Sequence, residues 1–333
     1  MKYSFIIPVY NRPDEVDELL ESLTHQEEKD FEVIIVEDGS SIPCEDVCHK
    51  YADSLNISYY QKLNSGPAKS RNYGAELAQG EYLIILDSDV VVPNGYLKAV
   101  SEELRREPAD AFGGPDCANA NFTTVQKAIS YSMTSFFTTG GIRGGKKKLD
   151  KFYPRSFNMG IRRDKYLELK GFSDMRFGED IDFSIRIFKA GLRCRLFPEA
   201  WVWHKRRTDF VKFFRQVFNS GMARINLYKR YPESLKIVHL LPMVFTLGVF
   251  ALLVIGHILQ CLPLLAPIAL YILLIFADSS IKNKSVVIGA LSVIAAFIQL
   301  MGYGFGFLWA WWVRIVLKRG DENTQAFKKN FYK

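Results

Sequence analysis

The sequence predicts an α/β fold: a Rossmann-like domain on a mostly parallel sheet, followed by C-terminal transmembrane helices. Three observations predict it. Short apolar runs alternate with helical patterns over residues 1–100, as in a parallel sheet covered on both faces. Acid-rich turns follow directly on several of those runs. Residues 237–276 and 286–313 contain no Asp, Glu, Lys or Arg at all.

Tyr3-Ser4-Phe5-Ile6-Ile7 reads as a strand. Pro13 to about His25 reads as a helix, with proline in the first turn, where no N–H is needed. Phe31–Val36 is a second, almost wholly apolar strand. Glu45–Ala52 is helical, Ile57–Tyr60 a short strand, Pro67–Gln79 a helix and Glu81–Leu86 another buried strand. Ligands of such sheets bind at the carboxyl ends of strands. Pro8-Val9-Tyr10-Asn11, Glu37-Asp38-Gly39-Ser40 and Asp87-Ser88-Asp89 stand there. Beyond residue 110 the pattern loosens. Gly113-Gly114-Pro115 marks a turn, and Gly140 to Lys148 reads as a mobile basic loop with Arg143, Lys146, Lys147 and Lys148. A helix is expected over Glu179–Ala190, with strand-like pieces at Arg193–Phe197 and Ala200–Trp203. Asp209–Tyr231 reads as an amphipathic helix with Phe210, Phe213, Phe214, Val217 and Phe218 on its apolar side.

The two charge-free runs are 40 and 28 residues long, against roughly 20 for one helical crossing. The first divides near Gln260-Cys261-Leu262-Pro263. Spans are expected at about 237–259, 261–277 and 285–306. An interfacial helix carrying Trp309, Trp311, Trp312 and Arg314 follows. The expected layout is a domain over 1–236, a membrane domain over 237–317 and a basic tail over 318–333. Three crossings put that tail on the far side from the N-terminal domain, against the positive-inside tendency. Two crossings with a re-entrant or surface segment keep it on the same side. Three is the working expectation.

The net charge is +7. Between Lys205 and Lys236 nine Lys/Arg stand against two Asp/Glu, and the rest of the chain balances. A basic stretch just before an apolar run reads as a juxtamembrane segment facing anionic lipid, not as a nucleic-acid surface. Five cysteines without a C-x-x-C pair fit a reducing compartment. Met1-Lys2-Tyr3-Ser4 does not open a signal peptide. The expectation is a multi-pass protein of the inner (cytoplasmic) membrane, its large N-terminal domain in the cytosol and no nucleic acid as partner. The sequence does not determine the oligomeric state.

Three carboxylate clusters carry the chemistry. Glu37 and Asp38 end a buried strand before a Gly turn. They are either solvated turn acids or acceptors for a nucleobase N–H or ribose hydroxyls. Asp87 and Asp89 follow four apolar residues and offer hard oxygen ligands for Mg²⁺ or Mn²⁺; acidic turns also produce this pattern without function. Glu179, Asp180 and Asp182 open a helix. They either complement its dipole or include a general base for an acceptor hydroxyl, and Asp182 is placed to pair with Arg186 one turn on. Lys69, Arg71 and Asn72 sit in the first turns of a helix, where backbone N–H groups and a guanidinium hold phosphates or simply cap the helix. His204, after Trp201-Val202-Trp203, is either a packed histidine or a metal or diphosphate ligand. G-x-x-x-x-G-K-[ST], G-x-G-x-x-G and H-E-x-x-H are all missing, so kinase, P-loop, simple dehydrogenase and zincin readings lose their signatures.

Taken together, Phe5-Ile6-Ile7-Pro8-Val9-Tyr10-Asn11, Val36-Glu37-Asp38-Gly39-Ser40, Gly66-Pro67-Ala68-Lys69-Ser70-Arg71-Asn72, Leu86-Asp87-Ser88-Asp89 and Gly178-Glu179-Asp180 resemble, in that order, the family 2 glycosyltransferases of the GT-A fold. The resemblance covers about residues 2–205. It implies inverting transfer from a nucleotide sugar, with Mg²⁺ or Mn²⁺ as cofactor. By this resemblance Pro8, Tyr10 and Glu37 line the nucleoside pocket. Val9, Asn11, Asp38, Lys69 and Ser88 stand in the same nucleotide-sugar motifs. Arg71 lies near the base or phosphates and Asp87 near the ribose. Asp89 is the main metal ligand, with Asp87 and His204 completing the site. Asp180 is the general base with Glu179 beside it, and Asn158 lies by the donor sugar. Family members commonly carry Asp where this chain has Glu37. The Q-x-x-R-W of processive members is missing from Arg215 to Arg224, which implies addition of one or a few sugars. The membrane region resembles that of bacterial members acting on cell-surface glycans, and a cleft tethered beside lipid suggests a lipid-linked acceptor. Two alternatives stay open. A nucleotidyltransferase-like enzyme needs a Gly-rich basic loop that Pro8 to Pro13 lacks. A non-catalytic membrane scaffold sits poorly with three intact acidic clusters.

Overall fold

Alternation along the strands dictates the layering. Phe5, Ile7, Val33 and Ile35 feed one apolar cluster, while Ile6, Ile34 and Val36 feed another. Side chains of a strand point alternately to opposite faces, so both faces of this sheet are dry and need helices over them. The computed structural model describes residues 1–117, 122–140, 152–205 and 207–319. Arg143, Lys146, Lys147, Lys148 and the tail beyond Arg319 lie outside the described residues.

In chain order the elements begin with β1 (Tyr3–Val9), α1 (Pro13–Thr24), β2 (Phe31–Asp38), α2 (Glu45–Lys50), β3 (Ile57–Lys62), α3 (Pro67–Leu77) and β4 (Tyr82–Leu86). Next come β5 (Val90–Val91), α4 (Tyr96–Arg106), β6 (Ala111–Gly113), β7 (Asp116–Cys117), α5 (Thr124–Thr134) and α6 (Phe136–Thr139). Then follow β8 (Asn158–Arg162), α7 (Arg163–Glu168), α8 (Glu179–Lys189), β9 (Cys194–Leu196) and β10 (Val202–His204). The helices α9 (Phe210–Arg230), α10 (Leu241–Ile258), α11 (Ala266–Asn283) and α12 (Val286–Trp311) end the described chain. Two compact units result: residues 1–117 with 152–205, and residues 122–140 with 207–319.

The first unit holds a seven-stranded sheet in the order β3-β2-β1-β4-β8-β6-β9. Strands β3, β2, β1 and β4 run parallel, and β8 is antiparallel to both β4 and β6. Helices α1, α2 and α4 cover one face, and α3, α7 and α8 the other. A second sheet, β5-β10-β7, joins β10 antiparallel to β5 and parallel to β7. Helix α4 and strand β8 were not expected from the sequence. Close packing fixes how β8 meets β10. Asn158 accepts from the Tyr96 hydroxyl at 2.7 Å and donates to the Ala200 carbonyl at 2.8 Å, and Gly114 lies against that same carbonyl.

The second unit is helical. Helix α12 is its axis: α5 packs on its first half through Ala128, Ile129, Ile288 and Ala295, and α9 on its second. Glycines make the second contact close. A Cβ at Gly306 would stand 2.0 Å from the Phe218 carbonyl oxygen, and one at Gly221 would stand 2.2 Å from that of Tyr303. The amphipathic face of α9 is used here: Phe213 and Val217 are buried, whereas Phe214 stays 37% exposed. Tyr131 donates to Asp278 at 2.6 Å, tying α5 to α11. Three stretches, Leu241–Ile258, Leu262–Asn283 and Val286–Val316, are long and apolar enough to cross a membrane. The third runs on past Gly306 without a break and widens into a π turn at Trp312–Val316. Where a separate interfacial helix was expected, no proline intervenes and one continuous helix forms.

Gly114→Ala should destabilise the first unit by about 1–3 kcal/mol, the usual range for overpacking, because its Cβ would stand 1.6 Å from the Ala200 oxygen. Thermal melting in detergent checks it. Gly95→Ala, whose Cβ meets nothing within 4 Å, should melt near wild type.

Candidate functional site

The turn after β4 carries Asp87, Ser88 and Asp89. The second sheet delivers the imidazole to them. Its register sets His204 opposite Val90, and the Lys205 N–H donates to the Asp89 carbonyl at 3.1 Å. His204 Nε2 therefore lies 3.2 Å from Asp89 Oδ1. Ligand atoms of Asp87, Asp89 and His204 all lie within 4.8 Å of one another. Two carboxylates and an imidazole are a donor set that a small divalent cation accepts, so the residues present fit a metal ion. Burial pulls the His204 pKa down, but the hydrogen bond and charge of Asp89, with Asp87 and Asp116 behind, outweigh it and leave the imidazole above its ordinary value. Arg12 reaches the same carboxylate: its NH1 is 3.2 Å from Asp89 Oδ2 and 2.6 Å from Glu15.

Arg71 connects this cluster to the start of α8. It is 4% exposed, with NH2 2.6 Å from Asp87 Oδ1 and NH1 3.2 Å from Glu179 Oε1. Its guanidinium also lies over the Phe172 ring at 5.3 Å. Gly178, at φ +85°, turns the chain into α8, so Glu179 and Asp180 are its first two residues. Burial, with the neighbouring Asp180 charge, pushes Glu179 up to about 7 against the pull of Arg71. Asp180 is buried, with Oδ2 2.6 Å from Arg155 Nε and Oδ1 accepting the Ile181 N–H at 2.8 Å. Asp182 turns away and pairs with Arg186 at 2.9 Å, the i,i+4 contact its spacing predicts.

Other residues singled out from the sequence lie at the strand ends but are bound up in the protein. Pro8 and Val9 are buried at the end of β1, Tyr10 is half-buried beyond them, and Ser88 is buried between the aspartates. Asn11, at φ +55°, accepts the Ser41 and Ile42 N–H groups at 2.7 and 3.0 Å. Glu37 is buried and accepts from Ser40 and from the Cys44 N–H at 2.9 Å. Asp38 accepts the Ser65 and Gly66 N–H groups, both at 2.8 Å, and pairs with Lys62. Lys69 is exposed, 3.7 Å from Asp174. Asn158 has both ends of its amide engaged within the first unit. Arg71, expected from the resemblance beside a nucleotide, is buried as a brace between Asp87 and Glu179. Two charged residues escaped sequence reasoning. Arg12 follows its motif directly, so adjacency pointed to it. Nothing in the sequence pointed to Arg155.

The family described as Glycosyl transferase family 2 matches residues 4–169. An uncharacterized glycosyltransferase of Haemophilus influenzae is 30% identical over 194 residues, covering 56% of this chain and 62% of that protein. The minor teichoic acid biosynthesis protein GgaB of Bacillus subtilis is 35% identical over 213 residues, 62% of this chain and 23% of that protein. The chain spans less than two thirds of the length of the curated relatives it matches. Among solved structures, the mannosyltransferase PcManGT from Pyrobaculum calidifontis, in complex with GDP-Man and Mn²⁺, has a TM-score of 0.65 at 18% identity, over 92% of this chain and 87% of that one. That likeness shows the fold, which is GT-A.

The raised Glu179 value has a stability consequence. Between about 4.3, its ordinary value, and about 7, the folded state holds a proton that the unfolded state has lost. Stability therefore falls as pH rises through that window. Glu179→Gln should flatten this dependence. Denaturant titrations of both proteins from pH 5 to 8 check it, and parallel curves would count against the shift.

Proposed function

The chain belongs to glycosyltransferase family 2, and we propose that, as a glycosyltransferase, it moves a sugar with inversion from a nucleoside-diphosphate sugar to a lipid-linked glycan in cell-surface polysaccharide or glycolipid synthesis. The observation that carries this reading is the brace at Arg71. One buried guanidinium touches Asp87 and Glu179 together, so a metal-type cluster and an acidic pair share one end of one sheet. That is the arrangement needed to neutralise a leaving diphosphate on one side and deprotonate an acceptor on the other.

Asp89, Asp87 and His204 would hold Mg²⁺ or Mn²⁺, which when bound supplies counter-charge to the diphosphate. Arg12 adds positive charge at the same place. Asp180 in its carboxylate form takes the proton of the acceptor hydroxyl. The acceptor oxygen bonds to the anomeric carbon from the face opposite the donor phosphate, and the carbon–oxygen bond to that phosphate breaks. The electron pair leaves with the nucleoside diphosphate. Glu179, its carboxyl pushed up to about 7, carries less than a full charge near pH 7 and so eases the repulsion beside Asp180. Pro8, Val9, Tyr10 and Ser88 border the nucleotide pocket in this reading. Glu37, Asp38 and Asn11 shape its floor through their hydrogen bonds.

Three apolar helices and the basic stretch before them support a seat in the cytoplasmic membrane, with the first unit on the cytosolic side. Teichoic acid synthesis by the relative GgaB supports a cell-surface glycan as product. The missing Q-x-x-R-W supports non-processive addition.

Asp180→Asn should lower turnover by about 10²–10⁴-fold and leave nucleotide binding near wild type. Nucleoside diphosphate release from a panel of nucleotide sugars, with native lipid extract, measures it; wild-type turnover in the variant removes Asp180 from the role. Asp89→Ala should weaken Mn²⁺ binding by at least about tenfold, since losing a ligand or its orientation typically costs 10–100-fold. Calorimetry with the metal alone reads that directly.

A further inference from the structure

The carboxylate assigned above as the base is covered. Asp180 is buried and both its oxygens are engaged, one by the Ile181 N–H and one by Arg155. Arg155 itself is 41% exposed on its side chain. Among the described residues its guanidinium forms no other ion pair or hydrogen bond. It differs in this from Arg71, which is 4% exposed and shared by two acids.

The backbone under Arg155 is anchored while its side chain is not. The Ser184 hydroxyl on α8 lies within hydrogen-bond distance of both the Pro154 carbonyl, at 3.1 Å, and the Asp180 carbonyl, at 2.8 Å. The Tyr153 ring packs edge-on against Phe188 at 5.2 Å, and the Asn158 N–H donates to the Arg155 carbonyl at 3.0 Å. Segment 153–158 is thus laid along α8 and starts Arg155 beside the base, and the long side chain ends at the surface. A guanidinium presents five N–H donors in a planar fork that matches phosphate bidentately. A single carboxylate contact leaves much of that fork for an incoming anion.

Resting on the reading of Asp180 as base, we propose that Arg155 is a positioning residue that caps Asp180 until a phosphate-bearing acceptor draws it away. The acceptor's phosphate takes over the guanidinium, Asp180 is uncovered, and it accepts the proton of the neighbouring hydroxyl as that oxygen bonds to the sugar. The leaving diphosphate carries off the electron pair of the broken bond. Water brings no anion, so the cap stays in place and donor hydrolysis is suppressed. The acceptor class follows: a hydroxyl with a phosphate close by, on a lipid or on a soluble polyol phosphate.

The test uses the full chain in detergent and reads nucleoside diphosphate release from whichever nucleotide sugar it turns over. Four probes are added in turn: 1-oleoylglycerol 3-phosphate and its neutral twin 1-oleoylglycerol, then glycerol 3-phosphate and glycerol. In wild type each effective phosphate probe should exceed its neutral twin by about tenfold, within what one base contributes. The lipid and soluble pairs tell which source of phosphate is used. Arg155→Gln should raise release without acceptor by about tenfold and reduce the discrimination to about twofold or less through a higher KM at unreduced kcat. Arg155→Lys should fall between. A wild type indifferent to phosphate overturns the proposal, as does an Arg155→Gln enzyme that keeps wild-type discrimination or shows no rise in acceptor-free release. Asp180→Asn run alongside separates the two ideas: if it is inactive, failure at Arg155 leaves the base assignment standing, and if it is fully active, the base assignment itself falls.

Discussion

Everything in the first unit is arranged around a positive charge that has nowhere to go. Arg71 is sealed under the carboxyl edge of the sheet with Asp87 on one side and Glu179 on the other. Taking a guanidinium out of water is costly unless partners replace its hydration, and removing one partner of a buried pair typically costs about 3–5 kcal/mol. The two acids are therefore held at a separation set by one planar group. Asp87 leads through the turn to Asp89 and His204, while Glu179 leads directly to Asp180. An inflexible spacer between the two clusters is what preorganisation requires of the site proposed above.

The electrostatics on either side of that spacer differ, and the difference has a local cause. On one side Asp89 is shared by the Arg12 guanidinium and the His204 imidazole. On the other, two adjacent carboxylates sit at a helix start with little water. Glu179, desolvated, beside the Asp180 charge and paired with Arg71, gains a raised pKa, and the exposed Arg155 falls on Asp180. One sequence-adjacent pair thus acquires two different environments, which is how neighbouring acids take on separate roles.

In the second unit the organising constraint is backbone proximity, not charge. Gly302 and Gly306 on α12, and Gly221 on α9, remove the side chains that would keep the two helices apart. Helix α9 consequently belongs with the apolar helices even though it carries five Lys/Arg among its 21 residues. By packing, α9 groups with the apolar helices of the second unit.

What the amino-acid sequence determined by itself was local and periodic. The parallel strands β1, β2 and β4, the helices between them, the acidic turns at their ends and the three long apolar helices all follow from two-residue alternation, proline placement and unbroken hydrophobicity. So does Asp182 pairing with Arg186. Those acidic turns also carried the family resemblance, because strand ends are where such a sheet binds ligands. Tertiary structure alone decided which of the marked residues face one another. Strand β8 enters between β4 and β6 from 72 residues beyond β4's end at Leu86. Strand β10 brings His204 to Asp89 across 115 residues of chain. Arg71 is turned inward, and Arg155 is set on Asp180. Contacts between segments that far apart depend on how the sheet and helices pack, and no spacing within one segment encodes that.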